Sequence, residues 1–333
     1  MSAPAYPTVI AAVAQYLGRR ARWRSAEYAF WAIAAATLVL LPGKHLILTE
    51  IAILGLFALS LDLLLGFSGI ISLGHAAFFG LGAYAAGLFA KHGLINEPAL
   101  ALLASGLLAA LLGFATSFLV LRGSDLTRLM VTLGVSLILR ELANRFDGLT
   151  GGADGLQGIT IAPLLGRFAF DIGGHTGYLY SMVVLFVLFL VARRIIYSPF
   201  GLSLGAVKGN PLRASAVGIS VSARLVAIYT IAAAYAGIAG ALLTQTTQFC
   251  SLDVLSFERS ADLLIVLILG GTGYLYGGLI GALLFKLVQD WLAAVTPQYW
   301  QFWLGLVLVA IVLIGRERVG VWLGVARSLI RRG

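Results

Sequence analysis

The side chains with the most chemistry in this sequence are four histidines, fourteen carboxylates and one cysteine. Their spacing is the first constraint. His45, His75, His92 and His175 are scattered, without Asp or Cys clusters at ligand spacing, which argues against a metal centre and a convergent catalytic set. Cys250 stands alone, so neither an internal disulfide nor an all-cysteine metal site can form. The only Gly-Lys pair, Gly43-Lys44, is followed by His45, whereas a phosphate cradle needs Gly-x-x-x-x-Gly-Lys-Ser/Thr. The expectation is a chain that is not an enzyme and holds no cofactor, with any ATP and Mg bound by partner subunits.

What is left is charge in apolar surroundings, which is expensive and therefore functional or paired. Lys286 and Asp290 stand four apart and are expected to pair along one helix. Arg140, Glu141 and Arg145 lie near the end of an apolar run, within snorkelling distance of an interface. Asp62 and Asp262 have no local partner. Asp62 adjoins "GFSGIISLGHAAFFGLGAY", residues 66–84, which holds five glycines, one histidine and no charge. Gly66, Gly69 and Ser72 can interrupt a helix there, and interrupted backbone must line a cavity or be buried in protein. Asp62, Gly66, Gly69, Ser72, Gly74 and His75 are thus candidates for a translocation pathway. Tight packing without a pathway is the other reading of the glycines, and a structural ring is the other reading of His75. Ala76, Gly80, Ala83 and Gly87 step by four, three and four, so they form one small-residue face on which another helix can pack.

The elements that must position these residues follow from composition. The chain has 333 residues, 60% hydrophobic and 11% charged, with a mean hydropathy of +0.97; soluble domains are about a quarter charged. This is the composition of an all-α, polytopic membrane protein. Spans of about 17–25 apolar residues read at about 27–42, 46–66, 69–90, 99–121, 127–145, 178–195, 225–246, 260–275, 277–295 and 299–315. That makes about ten transmembrane helices. With the N-terminus inside, 16 of the 23 basic residues fall on the cytoplasmic side, so both termini are expected there. The net charge of +9 flanks apolar runs instead of forming a patch with interleaved aromatics, which argues against nucleic acid.

The resulting organisation is a basic N-terminal segment (1–26), a transmembrane domain (27–315) and a basic amphipathic tail (316–333). Val9, Val13 and Tyr16 suggest a surface-lying helix at one end, and Val319, Trp322, Leu323, Ala326 and Ile330 suggest one at the other. An outer loop, 146–177, is dense in glycines that suit positive-φ turns. The inner loop, 193–224, contains Ser198-Pro199, which ends the preceding helix. Asn210 then offers an N-cap, Pro211 a first helical residue and Gly218 a stop, giving a short helix from Pro211 to Val217.

Five stretches in order carry a resemblance: "GFSGIISLGHAAFFGLGAYAAG", "VTLGVSLILRELAN" with "LTGGADGLQGI", "RRIIYSPFGLSLGAVKGNPLRASAVGI", "AAAYAGIAGALL" and "LLIVLILGGTGYLYGGLIGALL". Together they resemble the LivM-type permease family, the membrane subunits of branched-chain amino-acid ABC importers. The resemblance implies a bacterial inner-membrane permease, working with a second related permease, two ATPase subunits and a periplasmic binding protein. It implies that the inner loop is the coupling element, with Asn210, Pro211, Arg213, Ala214, Ser215 and Gly218 at the ATPase groove. Leucine-type amino acids, urea, amides and small organic acids all remain open as cargo. An ion-coupled secondary transporter is the alternative mechanism, with His75 and Asp62 as its only starting point.

Overall fold

Helix Pro98–Val120 shows how this chain disposes of its apolar side chains. Leu100, Leu103, Leu107, Leu111, Phe114 and Phe118 form an exposed stripe, while Ala101, Ser105, Gly106, Ala109, Gly113 and Ser117 are buried. Large apolar residues outside and small ones inside reverse the soluble pattern and suit helix packing in lipid.

The computed structural model describes residues 22–299 except Ile172, together with residues 11, 13, 15, 17, 18, 302, 303, 305 and 306. The helices longer than four residues within 22–299 are α1 (Ser25–Leu40), α2 (His45–Ser68), α3 (Ala76–Lys91), α4 (Pro98–Val120), α5 (Asp125–Arg145), α6 (His175–Ile196), α7 (Pro199–Gly209), α8 (Pro211–Ala216), α9 (Val221–Thr247), α10 (Phe257–Gly270) and α11 (Leu275–Val295). Among the described residues there is no strand, only two isolated bridges, Leu156 with Cys250 and Leu164 with Phe168. Segments of α2, α4, α6, α9 and α11 are long and apolar enough to cross a membrane. Most of the tenth expected span, and the expected C-terminal tail, lie outside the described residues, as do Val9 and Tyr16 of the N-terminal surface helix.

Two expected spans are shorter than their apolar runs. The run 69–90 becomes helical only at Ala76, because Gly69 takes φ +78 and the N–H groups of Gly69 and Ile70 turn back to the carbonyls of Leu65 and Leu64, closing α2. The run 260–275 ends at Gly270, where Gly271 and Gly273 take φ +100 and +76. At 16 and 14 residues, α3 and α10 extend about 24 and 21 Å, against a hydrocarbon core of about 30 Å. The seven-residue segment 69–75 and the one-turn helix Leu252–Leu255 complete their paths.

The loops sort to two ends. At one end the Leu165 N–H donates to Glu97, Gln245 donates to the Pro98 carbonyl, and the Leu156 N–H donates to the Cys250 carbonyl at 2.7 Å. At the other, Arg193 of α6 pairs with Glu27 of α1 at 2.5 Å and lies over Trp23. The expected outer-loop glycines do take left-handed turns, at Gly151, Gly152, Gly155 and Gly158. α2 and α9 are the most enclosed spans, with 67% and 72% of their apolar windows buried.

Candidate translocation site

α2 and the break between α10 and α11 build the first part of the site. Asp62 is fully buried, and its Oδ1 accepts the Gly273 N–H at 2.7 Å. The carboxylate therefore stands at the start of α11, where unpaired N–H groups and the helix dipole favour negative charge. Gly66 is dictated by this contact: a Cβ there would collide with Asp62 Oδ1 and Gly273 N. The Gly66 carbonyl accepts from Lys208 Nζ of α7 at 2.5 Å, a cation at the C-terminal end of α2. Gly69, beside it, would place a Cβ 3.2 Å from the Lys208 stem.

The second part lies where α3 and α10 begin. The Ala76 N–H donates to Ser260 Oγ at 3.0 Å, so the two short helices start side by side. His75 is fully buried; its Nε2 meets Ser60 Oγ at 2.8 Å, and its ring stacks on Phe57 with Phe78 at its edge. The Leu73 N–H donates to Thr132 Oγ1, and Ser136 Oγ donates to the Leu255 carbonyl. Gly74 lies so close to the Thr132 carbonyl of α5 that no Cβ would fit. Ser72 is also fully buried. Asp62, Gly66, Gly69, Ser72, Gly74 and His75 are thus brought into a packed seam between α2, α3, α5, α7, α10 and α11.

The small-residue face has several partners. Gly80 faces Leu255, Gly87 faces Leu156 of the loop 146–177, and the Ala83 N–H would be touched by a Cβ at Gly240; Ala76 is buried. The closest backbone approach of α3 to α9 uses Gly82 against Gly237 and the Phe79 carbonyl against Gly240. Sequence reading missed this crossing. Its signal is the Gly237-x-x-Gly240 spacing within "AAAYAGIAGALL".

Two recesses lie against α2. One, about 440 Å³, reaches the loop end that holds Asp171, Gly174 and Gln248. The other, about 260 Å³, is walled by Glu50, Arg259, Asp262, Lys286 and Gln289 on its polar side and by residues such as Phe57 and Phe79 on its apolar side. They share Glu50, Ile53 and Leu243 as common wall. Lys286 does pair with Asp290, at 3.5 Å, but its closer partner is Glu50 of α2 at 2.7 Å. Spacing along one helix could not reveal that cross-helix partner. Glu50 and Arg259 also escaped sequence reading; each is a charge at the edge of an apolar run.

Asp171 closes the N-terminal end of α6. Its two oxygens accept the N–H groups of His175 and Thr176 at 3.1 and 2.8 Å. The Thr176 N–H, with the others of that turn, holds its carboxyl below the usual carboxylate range.

The loop 193–224 presents α8 with Asn210 as N-cap, its side chain accepting the Arg213 N–H at 3.0 Å. The helix ends at Ala216, one residue before the expected Val217, and Gly218 takes φ +85. Ala214, expected on the free face, is 3% exposed, whereas Leu212 and Val217 are 80% and 76% exposed. Arg213 and Ser215 are exposed beside them.

The chain matches a family model described as the permease component of the branched-chain amino acid transport system over residues 45–312. It is 28% identical over 257 residues to the high-affinity branched-chain amino acid transport system permease protein LivM of Escherichia coli, covering 71% of this chain and 60% of that protein. LivM of Salmonella typhimurium matches to the same extent. The chain therefore spans less than two thirds of the length of these curated relatives. No solved structure matches it significantly.

Proposed function

The chain belongs to the branched-chain amino acid transport permease family, and from that premise we propose that it is the membrane subunit of a bacterial ABC importer. It crosses the inner membrane about ten times with both termini cytoplasmic. In this reading it works with a second related permease, two ATPase subunits and a periplasmic binding protein, and carries branched-chain amino acids or related small solutes. The observation that carries the proposal is the family match from residue 45 to 312, which takes in every described helix from α2 to α11.

The geometry supports two parts of the mechanism. α8 is a capped helix with two exposed apolar residues, Leu212 and Val217, and an exposed arginine, which suits docking into an ATPase groove with an acidic rim. The Asp62–Gly273 and Lys208–Gly66 contacts tie α2 to both the α10–α11 break and α7. Movement of α7 and α8 by an ATPase would therefore reach the segment from Asp62 to His75. That segment is proposed as the inner closure of the pathway, which opens and reseals as the permease alternates between two states.

The test is reconstitution with the partners encoded beside it. ATP-dependent uptake from the binding-protein side is expected, and Leu212→Glu with Arg213→Glu should abolish ATPase co-purification while the permease still inserts. Uptake by the unaccompanied chain, driven by an ion gradient, would sink the importer reading.

A further inference from the structure

We propose that the slot between α1 and the rest of the bundle holds one acyl chain of a glycerophospholipid whose phosphate lies at Lys44. The inference rests only on the chain lying in a membrane, so it stands or falls separately from the cargo and from ATP-driven transport.

The slot exists because α1 barely joins the bundle: none of its residues is buried. Two points hold it. Trp31 donates to the Tyr276 hydroxyl of α11 at 3.3 Å and meets Phe186 and Phe189 of α6 edge-on. About 9 Å further along α1, the Thr37 hydroxyl meets that of Tyr178 of α6 at 2.7 Å. These residues wall a slot of about 210 Å³, and α2 forms its floor through Leu48, Ile51, Ala52 and Gly55.

The lining selects the occupant. Trp31, Thr37 and Tyr178 are its only side chains with a nitrogen or hydroxyl, and all three are engaged within the protein; Tyr178 donates to the Ala34 carbonyl at 3.0 Å. A polar solute finds no partner there, and water does not fill an apolar cavity of this kind. The volume lies below the roughly 300–1,000 Å³ of small-molecule pockets, which suits a narrow flexible chain. The slot opens sideways where Ile33 and Leu283 are 66% and 38% exposed. Hydrocarbon surrounds a spanning helix at that depth, and an unfilled gap would forfeit the dispersion contacts of its walls.

The depth matches one leaflet. Along α2 the slot runs from Leu48 to Gly55, about 6 to 16 Å from Lys44 at 1.5 Å per residue. One leaflet supplies half of a hydrocarbon core about 30 Å thick. The phosphate of a chain seated there comes level with Lys44, which is exposed at the start of α2. Among the described residues Lys44 takes part in no salt bridge, so its ammonium is available to a phosphate. The other titratable groups at this end are His45 and His175, with ring centres 5.2 Å apart, and Asp171, whose oxygens already accept two N–H groups of α6.

The probe is phosphatidylglycerol with a diazirine midway along one acyl chain. It is placed in liposomes with the full chain, alone and with the subunits that co-purify with it. Photolysis and peptide mass spectrometry should find label on Ile51 and Met182 that saturates as the probe fraction rises. Label on the exposed stripe of α4, at Leu107 and Leu111, should instead rise in proportion to the probe. Ala34→Phe, which fills the slot, should lower the slot label at least tenfold and leave α4 unchanged. Lys44→Gln should raise the probe fraction at half-saturation about fivefold. Slot label that rises in proportion, as at α4, means bulk lipid contact and overturns the proposal without requiring any variant to fold. Undiminished slot label in folded Ala34→Phe overturns it too. Absence of slot label, in the chain alone or once the subunits assemble, shows that a protein segment covers the slot and refutes the lipid. An unchanged half-saturation in Lys44→Gln overturns the placement of the phosphate.

Discussion

The seam around Asp62 and the recess around Glu50 both place charge among apolar helices, yet they resolve it in opposite ways. Asp62 is wholly buried and meets a backbone N–H at the start of α11. Its neighbours, Gly66 and Gly273, approach so closely that no side chain fits between them. In the recess the charges are larger in number and partly exposed; the Lys286 and Glu50 side chains are 18% and 51% accessible. Buried polar groups with fixed partners determine structure, because losing one partner leaves the other unsatisfied. Charges at a partly open recess contribute little to stability and remain available to a solute. The comparison teaches where to look for architecture and where to look for transport.

Substitutions at four positions would break or sharpen that contrast. Gly240→Leu should be the most damaging, since even a Cβ collides with the Phe79 backbone at the α3–α9 crossing. A loss of about 1–3 kcal/mol or more is expected, read as a collapse in yield of folded protein and in detergent melting temperature. Normal yield and melting would show that the crossing tolerates separation.

Asp62→Ala should come next. It strands the Gly273 N–H and removes negative charge from a helix start, at a cost of about 1–3 kcal/mol. Asp62→Asn keeps an acceptor and should recover most of the melting temperature. If Ala and Asn behave alike, the hydrogen bond to Gly273 is not what Asp62 contributes.

Lys286→Gln tests the other side of the comparison. A partly exposed ion pair is worth about 0–1 kcal/mol, so melting should barely move even though Glu50 loses its partner. A stability loss as large as that of Asp62→Ala would mean that the recess is structural after all.

The effect that depends on pH is expected at Asp171. Its folded-state affinity for protons is lowered, so its contribution is fully present above the ordinary carboxylate range and is lost as pH falls through the lowered folded value. Asp171→Ala should cost about 0.5–2 kcal/mol at neutral pH. The gap between variant and wild type should close on acidification. A gap that persists to the most acidic pH at which the protein stays folded would assign the loss to something other than the carboxylate.

The sequence by itself determined the helical class, the approximate place of each described span and the family. These depend on local or ordered features: apolar runs, their basic flanks, proline and Asn at a helix start, and motifs read in succession. The described helices α1–α6 and α9–α11 fall on nine of the expected apolar runs, and α8 begins at Pro211 as its cap residues dictate. The broken segment after Asp62 was legible too, because Gly69 has the freedom to end α2 in a left-handed turn. Partners were not. Asp62 meets Gly273 across 211 positions, Lys286 takes Glu50 in preference to the residue one turn away, and Ala214 turns inward where the sequence pointed it out. Apolar runs specify that a helix forms but are nearly featureless around its axis, so rotation and neighbours are set by packing. Only the tertiary structure could decide which charges are locked into the architecture and which line a recess, because that depends on distances between helices far apart in the chain.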